Sequence, residues 1–454
     1  MKIIKGLKSG ALLQRDEKGL CVCFFEAEFK GEVKASIGDI ENLGGNLFKL
    51  SGIKTGGPYE IVISDEADEI KLTDICVGDL WILAGQSNME GAGRLRSNLA
   101  ELEINTDSEV RAYYMSETWA PAKPQLHQIW EIKEDYIRIP YREYRKGTKW
   151  GTEYPENHRD GVGPGYFFIK SMKEKTKVPQ GAIPCAVGGS CLKNWETDRD
   201  NALYAMMKRR VAECGNVVKG VFWHQGESQC NEGDAKTFTE DMKNLVNAFR
   251  RDFGNENLPF VQAQLHKFTL AEGDCAYCWS VIRDKQRTLY KEISNLLTVN
   301  TCDLELDDMI HLSGASHEIL GERAANAMLK ILNGDTDQID IESIELTNDE
   351  FVPFLSNIVV KFKNLNGDLK SSGIPYGFYI SKDEKGLEEV KRIIHLKLEG
   401  DKVYIKNEIE PEEIGDLYLS YAYGCSYYAN ITDSENNAIP AFGPVKIKDL
   451  MKSN

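Results

Sequence analysis

Four short polar segments of this 454-residue chain contain residue types that can carry out acyl chemistry. The first is Gly85–Asn88, with the sequence GQSN, directly after the apolar run LWILA. The second is Gly188–Ser190, the third is Gln225–Glu227, and the fourth is an Asp-x-x-His pattern over Asp308–His311. Each follows a strand-like apolar run. If those runs form parallel strands, their carboxyl ends bring the four segments to one sheet edge.

Three of these residues suit nucleophilic catalysis. A serine hydroxyl is a weak nucleophile until a base accepts its proton. Histidine accepts a proton near neutral pH, and a carboxylate can fix the tautomer of its ring. We therefore predict Ser87 as the nucleophile, His311 as the general base and Asp308 as the orienting carboxylate. Asp307 is the alternative for the orienting role.

An acyl-transfer site also needs hydrogen-bond donors where charge develops on the acyl oxygen. We predict the backbone amides of Ser87 and Gly189 and the side-chain amide of Gln225 as these donors, because glycine permits a close backbone approach. Glu227 cannot donate while ionised, so we predict that it orients neighbouring groups. Asn88 is predicted to brace the nucleophile turn.

Each of these residues also has a purely structural interpretation. Ser87 alone would be read as the start of a turn or as a helix cap, and Gly189 as part of a turn. Gln225 and Glu227 could simply satisfy buried loop backbone. The order of the four segments favours the catalytic interpretation. Met89 replaces the second glycine of the Gly-x-Ser-x-Gly elbow, which argues against an ordinary α/β-hydrolase.

The elements that position these residues are predicted from hydrophobic periodicity. Nearly continuous apolar runs, typical of strands buried on both faces, alternate with amphipathic helical patterns. The strand runs are DLWILAG, GAIPCAVGG, GVFWHQGE, LPFVQAQL and NLLTVNTCD. The helical patterns are GYFFIKSMKEKT, NALYAMMKRRVAEC, TFTEDMKNLVNAFRRDF, SVIRDKQRTLYKEI and SHEILGERAANAMLKIL. This alternation predicts an α/β fold with a parallel sheet and right-handed crossovers.

The texture of the chain predicts three regions. Residues 1–75 consist of short strand-like runs broken by Gly, Asp and Asn, and residues 336–454 return to that pattern. Residues 76–335 alternate strands and helices. We expect β-rich, sandwich-like flanks around a three-layer α/β/α hydrolase domain. Whether the two flanks pack together is left open.

The motifs resemble those of the SGNH hydrolase superfamily, in its sialate O-acetylesterase-like branch of carbohydrate esterases. GQSNMEG is similar to the nucleophile block, GGSCLKNW to the glycine block, WHQGES to the third block with glutamine for asparagine, and DDMIH to the Asp-x-x-His block. LLQR, GGPYEIVI and NITDSENNAIPAFGPVKI extend the similarity. The resemblance implies a flavodoxin-like core and a Ser-His-Asp hydrolase that removes O-acetyl groups from sugars without a metal.

The substrate-binding residues are less well specified. Trp195, in the glycine block, is predicted to be either structural support near the site or a sugar platform. His224 is expected to tune the pocket or to pack. Arg94 is expected to be solvated, with contact to a ligand carboxylate as the alternative. Residues 136–161 are predicted to be a substrate-rim insertion. Side chains there that suit either an acidic or a neutral sugar are Tyr136, Tyr141, Arg142, Tyr144 and Trp150.

Composition excludes several classes of partner. A net charge of −16 argues against nucleic acid or anionic membrane as a partner. No apolar run reaches the roughly 18 residues of a membrane span, and the first residues lack the apolar core of a signal peptide. The eleven cysteines are an odd number, which excludes complete pairing. We therefore expect reduced thiols and a cytoplasmic location.

These observations predict a serine esterase that deacetylates mono- or oligosaccharides, either sialic acid or acetylated plant glycans. No cofactor and no metal are expected, and self-association into a homo-oligomer is left open. One alternative is a lipase- or thioesterase-like SGNH enzyme acting on non-sugar esters. The other is a non-catalytic protein whose β-rich ends bind carbohydrate.

Overall fold

The computed structural model describes residues 1–94, 107–146, 160–270, 274–349, 352 and 355–451, without the side chains of residues 142, 144–146, 160 and 274. The chain forms two compact units, each built from several segments. Unit 1 comprises Met1–Gln225, Asn244–Phe260 and His311–Met328. Unit 2 comprises Gly226–Lys243, Val261–Ile310 and Leu329–Asn454.

The elements are numbered in chain order. The strands are β1 Lys2–Lys5, β2 Leu12–Gln14, β3 Leu20–Glu28, β4 Lys34–Ala35, β5 Asp39–Gly44, β6 Leu47–Lys54, β7 Gly56–Ser64, β8 Glu69–Gly85, β9 Gly93–Arg94, β10 Val110–Tyr113, β11 Trp119–Pro121, β12 Asp160–Val162, β13 Gln180–Pro184, β14 Gly220–His224, β15 Phe260–Ala263, β16 Leu296–Val299, β17 Asp340–Asn348, β18 Ser356–Lys363, β19 Lys370–Ser371, β20 Phe378–Ser381, β21 Ile393–Glu399, β22 Lys402–Asn407, β23 Tyr418–Tyr421, β24 Ile431–Thr432 and β25 Phe442–Lys446. The helices are α1 Ser87–Glu90, α2 Asp135–Lys146, α3 Pro164–Thr176, α4 Leu203–Glu213, α5 Glu232–Asp252, α6 Asp274–Thr288, α7 Gly314–Leu332 and α8 Pro411–Ile414.

Strand β8 carries the nucleophile segment at its carboxyl end. Its first part pairs with β7 in antiparallel fashion, and Cys76–Gly78 pairs with β2 in parallel. From there on it lies between the parallel strands β13 and β14. Leu83 is opposite Pro184, and Gly85 is opposite His224. Three of the four polar segments therefore begin where neighbouring strands end, as the sequence predicted.

This part of unit 1 is a mainly parallel sheet in the order β11–β10–β13–β8–β14, in which only β11 runs antiparallel to its neighbour. Every residue from Ile75 to Gly85 is buried, and so is every residue of β13 and β14. Strands buried along their whole length need cover on both faces, which explains why the sequence shows continuous apolar runs instead of alternation.

The N-terminal part of unit 1 is an antiparallel sheet in the order β1–β3–β6–β5. Strand β3 alternates buried and partly buried residues, because only one face of this sheet meets its core. The buried face contributes Cys21, Cys23, Phe25 and Ala27 to that core.

Unit 2 contains two antiparallel sheets, β17–β18–β22–β21 and β20–β23–β25, over a shared apolar core. The predicted helices correspond to α3, α4, α5, α6 and α7. The protein is therefore mixed α/β with parallel and antiparallel sheets, which confirms the sequence prediction at that level.

The two compact units and the three regions read from the sequence are different divisions of the chain. Strand β8 runs through the expected boundary between residues 75 and 76, and the chain passes between the units after Gln225, Lys243, Phe260, Ile310 and Met328. The three-region organisation stays a prediction. Among the described helices, none is both long and apolar enough to cross a membrane. All eleven cysteines are described, and no disulfide joins any two of them.

Candidate active site

The turn that carries Ser87 depends on the glycine two residues before it. Gly85 has φ +140°, and a Cβ there would lie 2.1 Å from the carbonyl oxygen of His224. The next amide, Gln86 N–H, donates to that same oxygen at 3.0 Å. The absence of a side chain at residue 85 lets β8 approach β14 closely and turn sharply into α1, of which Ser87 is the first residue.

Ser87 and His311 come together in unit 1. The Ser87 Oγ lies 3.0 Å from the His311 Nε2, within hydrogen-bonding distance. His311 is partly buried. This pair has the geometry of a nucleophile and its base, and both were predicted from the sequence.

Asn88 fixes the segment that carries His311. Its side chain is fully buried, and its Oδ1 accepts the backbone N–H of Leu312 at 3.0 Å. The residue after the nucleophile therefore holds the residue after the base. This contact lies outside the nucleophile turn that Asn88 was predicted to brace, and the bracing role stays a prediction.

The glycine loop after β13 lies beside the nucleophile. A Cβ on Gly188 would be 3.6 Å from the Ser87 Cβ, so the two backbones are close. The Gly188 N–H donates to Glu90 Oε2. Gly189 has φ +73°, and nothing lies within 4 Å of the position that its Cβ would take. This open position beside the site suits the predicted oxyanion donor.

Gln225 is completely buried at the end of β14. Its Nε2 donates to the Gln86 Oε1 at 3.2 Å, which ties it to the nucleophile turn. A side-chain amide carries two N–H hydrogens, so glutamine is a residue type that can donate to an acyl oxygen.

Asp308 and Glu227 belong to unit 2, whereas the other predicted site residues belong to unit 1. The Asp308 Oδ1 accepts the backbone N–H of Ile310 at 2.8 Å, which shapes the chain leading to His311. Glu227 is 8% exposed and begins a short 3₁₀ turn, Glu227–Gln229. Their catalytic roles remain predictions.

Trp195 is part of the core. It is 1% exposed, and its ring packs edge-on against Trp223 with centroids 5.1 Å apart. Of its two predicted roles, this burial favours structural support. Arg94 is exposed at the end of β9, as expected for a solvated arginine.

A cavity of about 470 Å³ opens beside the glycine loop in unit 1. Its walls are the helix α2, the loop from Val187 to Asn194 and the segment before α4. The polar side chains that line it are Tyr136, Tyr141, Ser190, Cys191, Lys193, Asn194, Arg199 and Asn201. Two predicted rim residues, Tyr136 and Tyr141, are thus in the cavity wall. Arg142, Tyr144 and Trp150 lie outside the described side chains.

Sequence reasoning missed two buried residues beside the nucleophile turn. Glu90 is 7% exposed, and its carboxylate accepts hydrogen bonds from Tyr141 and Gly188. His127 is 6% exposed, with its Nε2 3.5 Å from the Leu83 carbonyl oxygen. Burial lowers the pKa of His127 to about 3, so this ring is neutral. Glu90 could have been found from the sequence, because it is the acidic residue of the GQSNMEG motif. His127 lies outside every motif, so no sequence signal pointed to it.

Residues 77–330 match the model of a family described as carbohydrate esterase, sialic acid-specific acetylesterase. The chain belongs to this family. Its members are carboxylic ester hydrolases that remove acetyl groups from carbohydrates, and the match confirms the resemblance drawn from the four motifs.

Similar proteins agree with this assignment. A probable carbohydrate esterase of Arabidopsis thaliana is 28% identical over 265 residues, which cover 55% of this chain and 90% of that protein. The human sialate O-acetylesterase is 24% identical over 216 residues, 40% of this chain and only 38% of that protein.

One solved structure shows the same fold. A carbohydrate acetylesterase from Xanthomonas citri superposes with a TM-score of 0.71 at 19% identity, over 97% of this chain and 99% of that one.

Proposed function

We propose that this carbohydrate esterase works by a two-step serine mechanism, with Ser87 as nucleophile, His311 as base and Asp308 as the orienting carboxylate. The observation that carries the proposal is the 3.0 Å contact between Ser87 Oγ and His311 Nε2, from residues 224 positions apart in the chain. A serine held this close to an imidazole is activated by proton transfer.

In the first step Ser87 attacks the acetyl carbonyl while His311 accepts its proton. The backbone amides of Ser87 and Gly189 and the side chain of Gln225 stabilise the tetrahedral oxyanion. His311 then donates the proton to the leaving sugar hydroxyl. In the second step a water that gives its proton to His311 attacks the acetyl-enzyme and releases acetate.

The cavity beside Gly189 is the proposed site for the sugar. It carries two cations, Lys193 and Arg199, and no Asp or Glu is among its described lining residues. Arg199 also pairs with Glu196 at 3.1 Å, which leaves Lys193 as the more available cation. A positively charged wall suits a sugar acid, so we favour O-acetylated sialic acid over neutral acetylated glycans. The human relative's name also refers to sialate.

Two finer features belong to the same proposal. We infer a three-layer α/β/α core, because parallel strands buried along their length require helices on both faces. The cytoplasmic location and the absence of nucleic-acid or membrane partners stay predictions from composition.

The mechanism is tested with Ser87→Ala. We expect kcat/KM on p-nitrophenyl acetate to fall at least about 10³-fold, because the remaining site supplies only oxyanion binding. Ser171→Ala, which removes a buried hydroxyl from α3, is the matched control and should keep its activity. A Ser87→Ala protein with a native circular dichroism spectrum and full activity would falsify the mechanism.

A further inference from the structure

Glu90 is a carboxylate in an environment that disfavours charge. It ends the short helix α1, three residues after Ser87, and is 7% exposed. Burying a carboxylate costs several kcal/mol unless hydrogen bonds compensate. The partners that compensate it therefore indicate what it does.

Its two oxygens bind two different parts of the site. Oε2 accepts the backbone N–H of Gly188 in the glycine loop. Oε1 accepts the hydroxyl of Tyr141 on α2 at 2.7 Å. A carboxylate that is ionised accepts stronger hydrogen bonds than a neutral group does.

The bond to Gly188 selects the oxyanion donor. Because the Gly188 N–H is already occupied by Glu90, it cannot serve an acyl oxygen. The loop then turns at Gly189, where the positive φ of +73° changes the direction of the backbone after Gly188. Glu90 thus holds the loop so that the Gly189 amide is the one available to the reacting acyl group.

The bond to Tyr141 connects the same carboxylate to the sugar cavity. Tyr141 and Gly188, the two hydrogen-bond partners of Glu90, both line that cavity of about 470 Å³. A sugar that packs against α2 therefore presses on a side chain that is hydrogen-bonded to the group holding the oxyanion loop.

We propose that Glu90 is a positioning residue that couples sugar binding in the cavity to acyl transfer at Ser87. This inference rests on the proposed function of Ser87 and Gly189. Glu90 does not touch the acyl group; it acts through Gly188 on one side and through Tyr141 on the other.

The loop half of the proposal is tested with Glu90→Gln, which keeps the size of the side chain but cannot accept both bonds as a carboxylate does. On p-nitrophenyl acetate we expect kcat to fall about 10- to 100-fold, less than the loss of about 10²- to 10³-fold when an oxyanion donor is removed altogether, with KM changed less than about 3-fold. Asp79→Asn is the matched control, because Asp79 is also a buried carboxylate but lies on β8 and pairs with Arg15 instead of the site. It should lower the melting temperature without lowering kcat.

The coupling half is tested with Tyr141→Phe, which removes one hydroxyl and leaves the Gly188 bond in place. We expect kcat on O-acetylated N-acetylneuraminic acid to fall at least about 10-fold, and to fall further than kcat on p-nitrophenyl acetate, which has no sugar. Tyr114→Phe removes a buried hydroxyl bonded to the Pro121 carbonyl and should change neither value.

The outcomes separate the inference from the mechanism beneath it. Equal losses on both substrates for Tyr141→Phe, or an unchanged kcat for Glu90→Gln, overturn the coupling while an inactive Ser87→Ala keeps the mechanism intact. An active Ser87→Ala overturns the mechanism itself, whatever the Glu90 variants do.

Discussion

The missing side chain of residue 85 decides where the nucleophile can lie. A Cβ at Gly85 would overlap the His224 carbonyl at 2.1 Å, and backbone atoms cannot move aside as a flexible side chain can. By contrast, a Cβ at Gly189 would have no atom within 4 Å, so glycine is favoured there only by the positive φ of +73°. Two glycines of the same site thus serve different needs, one for space and one for conformation.

Residue identity also bears on which sugar is accepted. Lys193 lines the cavity and is the better placed of its two cations to meet a sugar carboxylate. We expect Lys193→Met to raise KM for O-acetylated N-acetylneuraminic acid about 10-fold, since a charge-assisted hydrogen bond to a ligand contributes about 1.5–3 kcal/mol. KM for acetylated xylo-oligosaccharides, which are neutral, should change less than about 2-fold. An equal rise in KM for both substrates would show that Lys193 does not bind the sugar carboxylate.

For individual residues, the sequence predicted the reacting side chains better than the buried side chains that surround them. Ser87 and His311 were predicted from residue type and spacing, and the structure brings them within 3.0 Å. Glu90 and His127 were not singled out, because their roles depend on burial and on contacts between distant segments. Trp195 was left open between core and sugar platform, since an isolated tryptophan suits both, and only its 1% exposure favours one.

Among the elements, α1 holds the site together although it is only four residues long. Ser87 points to His311, Asn88 holds the amide of Leu312, and Glu90 holds the amide of Gly188. Three side chains from one turn thus contact two other loops. A displacement of this turn changes the nucleophile, base and oxyanion donor together.

Asn88→Ala tests this arrangement. Loss of the bond to Leu312 should let the His311 segment shift, and small misplacements at a site lower rates strongly. We expect kcat on p-nitrophenyl acetate to fall about 10-fold with little change in KM. Asn364→Ala, which removes a side-chain bond to the Gln338 carbonyl in unit 2, is the control and should leave kcat within about 2-fold. If both variants behave alike, Asn88 has no special role.

The elements themselves could largely be predicted from the sequence. The five strand runs correspond to the end of β8 and to β13, β14, β15 and β16, because a buried parallel strand leaves an unmistakable apolar run. The full length of β8 could not be predicted. In its first part, Glu69–Asp74, apolar and polar residues are mixed, whereas the rest of the strand is almost continuously apolar. The hydrophobic pattern therefore changes within one strand, where its neighbours change from β7 to β13 and β14.

At the scale of the whole molecule, acid stability depends on buried groups such as His127. Its folded pKa is about 3, against an ordinary value of 6.5, because burial disfavours the charged ring. Between these values the unfolded chain binds a proton that the folded chain does not. The free energy of unfolding therefore falls as the pH falls from about 6.5 towards 3, by up to about 1.4 kcal/mol per pH unit from this residue.

His127→Gln should remove this contribution, because glutamine does not titrate. Urea unfolding measured between about pH 5 and pH 8 should show a shallower loss of stability on the acid side than in the unaltered protein. His395→Gln, which replaces an exposed histidine, is the control and should retain the original slope. An identical slope in the His127 variant would mean that folding does not lower the pKa of this ring.

The length of β8 limits where the chain can be truncated to give a stable fragment. The family match begins at residue 77, in the middle of this strand. Residues before that point supply its neighbours β2 and β7, which pair with it up to Gly78 and Val77. A fragment excised at the similarity border would start with an uncovered strand edge, the usual template for aggregation. In this protein the residues that match the family are therefore fewer than the residues that a separately expressed fragment would need.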